Sequence, residues 1–151
     1  MTISNLKDPL VQTCTELFPM FGLEHRFMCE LPENSLNSGE KVNVIAGLTN
    51  GLKGNIVLGL TKEAAFEIVS KMMGGTQISD LDMIAKSALS EFMVMLCGNT
   101  VGKIGVKEII DVSPPTLVTG DNVFLMISKA PSKKLFFKLG ETKFNIAYCL
   151  E

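Results

Sequence analysis

Apolar residues recur along the segment from Leu81 to Lys103 at Leu81, Ile84, Ala85, Ala88, Leu89, Phe92, Met95 and Leu96. This is the i, i+3, i+4, i+7 spacing of a helix that buries one face. At about 100° per residue, Glu91 falls at the edge of that face, and Val94 falls further round, on the side of Ser87 and Ser90. A glutamate and the residue at i+3 point the same way, so the pair can present side chains together to something outside. The spacing predicts one long helix with Phe92 and Leu96 buried and Val94 substantially exposed.

The rest of the chain alternates between the two periods. Residues from Asn5 to Phe21 read as an amphipathic helix with Leu6, Leu10, Val11, Cys14, Leu17 and Phe18 on one side; Pro9 is tolerable in its first turn, and Pro19 with Gly22 marks its exit. His25 to Leu31 alternates as a strand ending at Pro32, and Glu33 to Glu40 is polar enough to read as a loop. Lys41–Leu48 and Gly54–Leu60 read as strands of a hairpin turned by Thr49-Asn50-Gly51. Thr61 is placed to cap a helix from Lys62 to Met73, with Glu63 in its first turn and Gly74-Gly75 at its end. Ser79 or Asp80 is placed to cap the long helix, with Asp82 completing a capping-box-like start, and the helix should end near Gly102–Gly105. Val112 leads into Pro114-Pro115, a rigid turn that continues neither a helix nor a central strand. Asn122–Ser128, Lys134–Leu139 and Lys143–Leu150 read as three closing strands, the last two joined at Gly140-Glu141-Thr142. Helix, three strands, two helices and three strands make an α+β pattern: an antiparallel or mixed sheet with long helices packed on it, as one domain over residues 1–151.

Composition narrows the function. The chain has 151 residues, 46% hydrophobic and 20% charged, enough for a core without disulfides. The formal net charge of −2, with no basic run beyond Lys133-Lys134, argues against nucleic acid. No apolar run approaches the length of a membrane span, and MTISNLKDPLVQT lacks the basic and apolar regions of a secretory signal, so a cytoplasmic location is expected. Cys14, Cys29, Cys97 and Cys149 are scattered in apolar segments without CxxC spacing and read as buried thiols. His25, the single histidine, lies between Glu24 and Arg26 and reads as a solvated surface residue.

No dinucleotide fingerprint, P-loop, HExxH or GxSxG motif occurs. Gly74-Gly75 lies at a helix C-terminus, the wrong end of the dipole for an anion. Met93 projects opposite the expected core face and should be exposed. Asn99 projects near the middle of that face and should make buried structural hydrogen bonds. Glu91, on composition alone, is an ordinary helix-surface carboxylate.

Three local signatures change that reading: Ser70-Lys71-Met72-Met73-Gly74-Gly75, then Ala88-Leu89-Ser90-Glu91 leading to Gly98-Asn99, then Val112-Ser113-Pro114-Pro115-Thr116-Leu117-Val118-Thr119-Gly120. In this order and separation they resemble the CheX branch of the CheC/CheX/FliY chemotaxis phosphatases, over nearly the whole chain. The resemblance implies a domain that removes phosphate from the aspartyl phosphate of the response regulator CheY. In the family a Glu-x-x-Asn motif on an exposed helix does this: the asparagine amide orients the attacking water and the glutamate pairs with a regulator lysine. Magnesium and the phosphorylated aspartate belong to the regulator, so no cofactor of the chain's own is implied.

Glu91 matches the family's glutamate, but Val94 stands at the asparagine position, and valine has neither donor nor acceptor with which to hold water. The expectation is a regulator-docking protein, with Ser87, Ser90, Glu91 and Val94 at the contact and phosphatase activity lost or impaired. One alternative is an active phosphatase in which another group replaces the amide. Another is a non-catalytic scaffold or switch-associated domain whose Val94 and Met93 contact an unrelated protein. The resemblance also implies a homodimer through sheet edges, for which the C-terminal strands are candidates.

Overall fold

Among the described residues of the computed structural model, periods of 3.6 and 2 resolve into helices α1 (Lys7–Met20), α2 (Lys62–Met72) and α3 (Met83–Val101) and nine strands. The structure describes residues 5–33, 36–128 and 130–151, with residues 36–38 described by backbone alone. The strands are β1 (His25–Glu33), β2 (Leu36–Ser38), β3 (Val42–Asn50), β4 (Gly54–Leu60), β5 (Ile110–Val112), β6 (Thr116–Thr119), β7 (Phe124–Met126), β8 (Ser132–Leu139) and β9 (Thr142–Leu150). Seven form one antiparallel sheet in the order β1-β8-β9-β4-β3-β5, with β6 also on β3; β2 and β7 pair separately. This is the expected α+β fold.

The three helices cover one face of the sheet. The main core joins Leu10, Leu17 and Phe18 of α1, Ile68 of α2 and Leu89, Phe92 and Leu96 of α3 to the inward residues of β3, β4, β8 and β9. The opposite face carries a smaller cluster in which Leu125 of β7 lies over Val57 and Ala147. The hairpin of β3 and β4 closes where expected, with Asn50 at φ +70°, a conformation that asparagine tolerates. Thr61 caps α2 by accepting the Ala64 N–H at 3.0 Å, and Gly74 and Gly75, at φ +72° and +91°, end it.

Several expectations are corrected. Residues 33–40 are not all loop: Glu33 ends β1 and Leu36–Ser38 pairs with β7, while Asn34 and Ser35 of that loop lie outside the described residues. The 122–128 run shortens to β7 and joins β2 rather than the large sheet. The C-terminal strands are not edges, because β8 lies between β1 and β9, and β9 between β8 and β4.

Val112 to Thr119 is an edge strand in two pieces. Leu48 pairs with Val112 and Ile45 with Thr116, which leaves Ser113, Pro114 and Pro115 opposite Ala46 and Gly47. Three residues opposite two make a bulge, where prolines lacking an N–H are tolerated. Ser113 holds the ladder there: its N–H donates to the Gly47 carbonyl and its Oγ accepts the Gly47 N–H, both at 2.8 Å.

Neither Ser79 nor Asp80 caps α3. Asp82 does, its Oδ1 accepting the Ala85 N–H at 2.8 Å. Asp82→Ala should therefore cost about 1 kcal/mol, read as a lower urea midpoint at unchanged slope. An unchanged midpoint would show that this end of α3 is held by other contacts.

The phase of α3 differs from the expected one by a fraction of a turn. Its buried row is Ala85, Leu89, Phe92, Met93, Leu96, Cys97 and Thr100, so Met93 is buried rather than exposed. Ile84 is 63% exposed and Asn99 is exposed. Apolar residues occur on nearly every side of this helix, so their spacing alone leaves its rotation open. A polar residue completes the buried row: the Thr100 hydroxyl lies 2.6 Å from the Leu96 carbonyl and 3.1 Å from Thr13 Oγ1 of α1.

Candidate functional site

The outward stripe of α3 carries Ile84, Ser87, Glu91, Val94 and Gly98, all exposed. Because the core row turns toward Met93 and Cys97, Glu91 lies at the centre of the exposed side rather than at the edge of the apolar face. Val94 is 47% exposed, and Phe92 and Leu96 are fully buried, as the apolar spacing predicts. At about 100° per residue, Val94 stands roughly 60° round the axis from Glu91 and one turn above it.

Ser87, Glu91 and Val94 of this stripe belong to one wall of a cleft of about 370 Å³. From α3 it is lined by Met83, Lys86, Ser87, Ser90, Glu91 and Val94, and from the facing edge strand by Pro115 and Leu117. All four predicted contact residues, Ser87, Ser90, Glu91 and Val94, thus share one concavity. Lys86, Pro115 and Leu117 were not foreseen as part of it. Pro114-Pro115 is visible in the sequence as a turn, but its approach to α3 follows from the pairing of a distant strand.

Glu91 and Lys86 have no hydrogen-bond or ion-pair partner among the described residues, and neither does the Ser90 hydroxyl. The cleft therefore offers one free carboxylate, one free ammonium and free hydroxyls beside the apolar surfaces of Val94, Pro115 and Leu117. It can receive a complementary charged surface. At Val94 itself it can offer no hydrogen bond to water.

The remaining candidates lie elsewhere. Asn99 is exposed, not buried; its Nδ2 donates back to the Met95 carbonyl at 2.8 Å, and it does not line the cleft. His25 is half-buried rather than freely solvated: its ring stacks on Phe18 at 5.0 Å, and burial lowers its pKa. Cys14 and Cys97 are buried as expected, each thiol pushed up to about 12 by desolvation, and Cys149 is buried too. Cys29 departs from expectation and is exposed, because it sits on the outward side of edge strand β1 just after a bulge. Among the described residues no group of three or more His, Cys, Asp or Glu is placed to hold a metal ion. Among them, too, no helix is long and apolar enough to cross a membrane.

Residues 42–138 match the family model of chemotaxis phosphatase CheX. The chain is 34% identical over 96 residues to the CheY-P phosphatase CheX of Thermotoga maritima, an alignment spanning 58% of this chain and 59% of that protein. It therefore aligns to less than two thirds of that relative. A crystal structure of a chemotaxis protein CheX from Desulfovibrio desulfuricans superposes with a TM-score of 0.83 at 25% identity, covering 97% of this chain and 99% of that one. The CheX of a CheX–CheY–BeF3–Mg complex from Borrelia burgdorferi shares the fold, with a TM-score of 0.71 at 20% identity over 97% of this chain and 95% of that one.

Proposed function

The chain belongs to the CheX family of chemotaxis phosphatases, and from that premise we propose that it docks a phosphorylated CheY-type response regulator through α3 while its own phosphatase chemistry is impaired. The observation that carries this reading is Val94, 47% exposed beside the carboxylate of Glu91, which has no partner among the described residues, in one cleft. Hydrolysis of an aspartyl phosphate leaves a catalyst chiefly the task of positioning water in line. An amide at position 94 would do that from the stripe; an isopropyl group does not. The relative from Thermotoga is a CheY-P phosphatase and the Borrelia fold neighbour was crystallised with CheY, which supports the same partner class here. Magnesium and the phosphorylated aspartate belong to the regulator in this scheme, and the pair meets in the cytoplasm.

Glu91 is the docking contact, pairing with a lysine of the regulator. Exposed ion pairs contribute about 0–1 kcal/mol, and those desolvated at an interface contribute more. Titration of a regulator loaded with beryllofluoride, which mimics the phosphoryl group, should give a several-fold weaker affinity for Glu91→Ala than for the wild type. Equal affinities would remove α3 as the contact surface.

One observation favours an active enzyme as the second reading. The Ser90 hydroxyl lines the cleft one turn from Val94 and has no partner among the described residues, so it is a candidate water-holding group. Asn99 is not one: it lies about 140° round the helix from Val94.

For the homodimer the free edge is β1, not the C-terminal strands. It is nine residues long, whereas the opposite edge is blunted by the Pro114-Pro115 bulge. A second copy pairing along β1 would continue the sheet.

A further inference from the structure

A single exposed helix leaves a partner free to rotate about its axis, and a reaction that depends on the placement of one atom needs that freedom removed. The Ser113–Pro115 bulge and Leu117 stand where that constraint is required. Pro115 of the bulge and Leu117 line the cleft with Ser90, Glu91 and Val94, and each is itself held. Ser113 is tied to Gly47 by two hydrogen bonds, both 2.8 Å long. The Pro115 ring fixes its own φ, and Leu117 packs against the main core.

We propose that Pro115 and Leu117 are positioning residues, forming a rigid second wall that sets the angle at which a CheY-type regulator seats on α3. This inference rests on the docking reading above. The charges of the cleft favour that occupant. Glu91 and Lys86 are both unpaired among the described residues and stand about 140° apart around α3, with Ser87, Ser90 and Val94 between them. A surface that presents a lysine beside an acidic phosphoaspartate site matches both ends at once. Pro115 and Leu117 add apolar surface from the facing strand, where they touch the partner without competing for its charges. The diproline also explains why the edge is broken at this point. A regular strand would lie flat along β3, whereas the bulge makes the strand bend locally.

The test is binding of the beryllofluoride-loaded regulator to Pro115→Glu, Pro115→Ala and Glu91→Ala, with thermal midpoints recorded for each. Pro115→Glu replaces that apolar surface with a second carboxylate in the cleft and should weaken binding at least about tenfold at an unchanged midpoint. Pro115→Ala keeps a small apolar surface and should stay within a few-fold of the wild type. A fluorophore on Pro115→Cys, in a Cys29→Ser background, should shift its emission when the regulator saturates α3. If Glu91→Ala weakens binding while Pro115→Glu does not, or if the fluorophore stays solvent-exposed at saturation, the second wall is wrong and the docking reading stands. If the wild type does not bind the loaded regulator, or no variant alters binding, the docking reading fails and this inference fails with it.

Discussion

Val94→Asn is expected to create phosphatase activity, or raise it strongly, toward a phosphorylated regulator that this protein binds. A single positioned hydrogen-bonding group contributes roughly 10²–10³ in rate where it holds a reacting species in the transition state. Position 94 lies on the exposed stripe beside Glu91, so an asparagine there would project into the same cleft without displacing core atoms. Valine and asparagine have similar helix propensities, so the substitution should leave stability within about 0.5 kcal/mol. The measurement is release of inorganic phosphate from the regulator, with protein well below stoichiometric amounts. The wild type should add little to the regulator's own rate, because an apolar side chain at the phosphate excludes water without orienting it. Rapid multiple turnover by the wild type would overturn the impaired-phosphatase reading, and loss of that turnover in Ser90→Ala would then assign the water to the serine. If both wild type and Val94→Asn are inactive while binding is intact, the defect lies in how the regulator is seated, not in the missing amide.

Local chemistry made part of this molecule legible in its sequence. Asn50-Gly51 between two apolar runs marked the hairpin of β3 and β4, and Thr61 with Gly74-Gly75 bounded α2, because caps and turns depend on residues adjacent in the chain. The exposure of Val94 followed from the burial of Phe92 and Leu96 two residues to either side. What stayed hidden depends on partners distant in sequence. Strands of three and four residues, β5 and β6, are too short to show a period, and the prolines between them read as a break although β3 runs unbroken beside them. β2 pairs with β7 across most of the chain, and nothing near Leu36–Ser38 announces it. The rotation of α3 is not legible in its sequence, because Met93 and Cys97 are as apolar as Leu81 and Ile84, and only packing against α1 and the sheet decides between them. The same long-range packing brings Pro115 to the cleft, so its second wall was absent from any reading of α3 alone.

Phe92→Ala should give the largest loss of stability, about 3–5 kcal/mol, a substantial part of what holds a domain of this size. Phe92 is fully buried and lies two residues from Val94, on the far side of the same helix. Its ring meets Phe18 of α1 edge-on at 5.3 Å and Phe21 at 6.2 Å. Phe18 stacks on Phe144 of β9 at 5.0 Å, and Phe144 on Phe137 of β8 at 4.7 Å. An aromatic column thus runs from α3 through α1 to the middle of the sheet, and removing the ring at its α3 end leaves a cavity between these helices. Urea unfolding should show the loss directly, with Phe92→Leu recovering much of it because most of the volume returns. Below its unfolding midpoint, Phe92→Ala should also bind the regulator more weakly than Glu91→Ala, since it disturbs both the helix and its distance from Pro115. A loss under about 1 kcal/mol would mean that α3 is held chiefly by Leu89, Met93 and Leu96. Intact binding in a strongly destabilised Phe92→Ala would mean that docking does not depend on how firmly the helix is anchored, and the two walls of the cleft would then act independently.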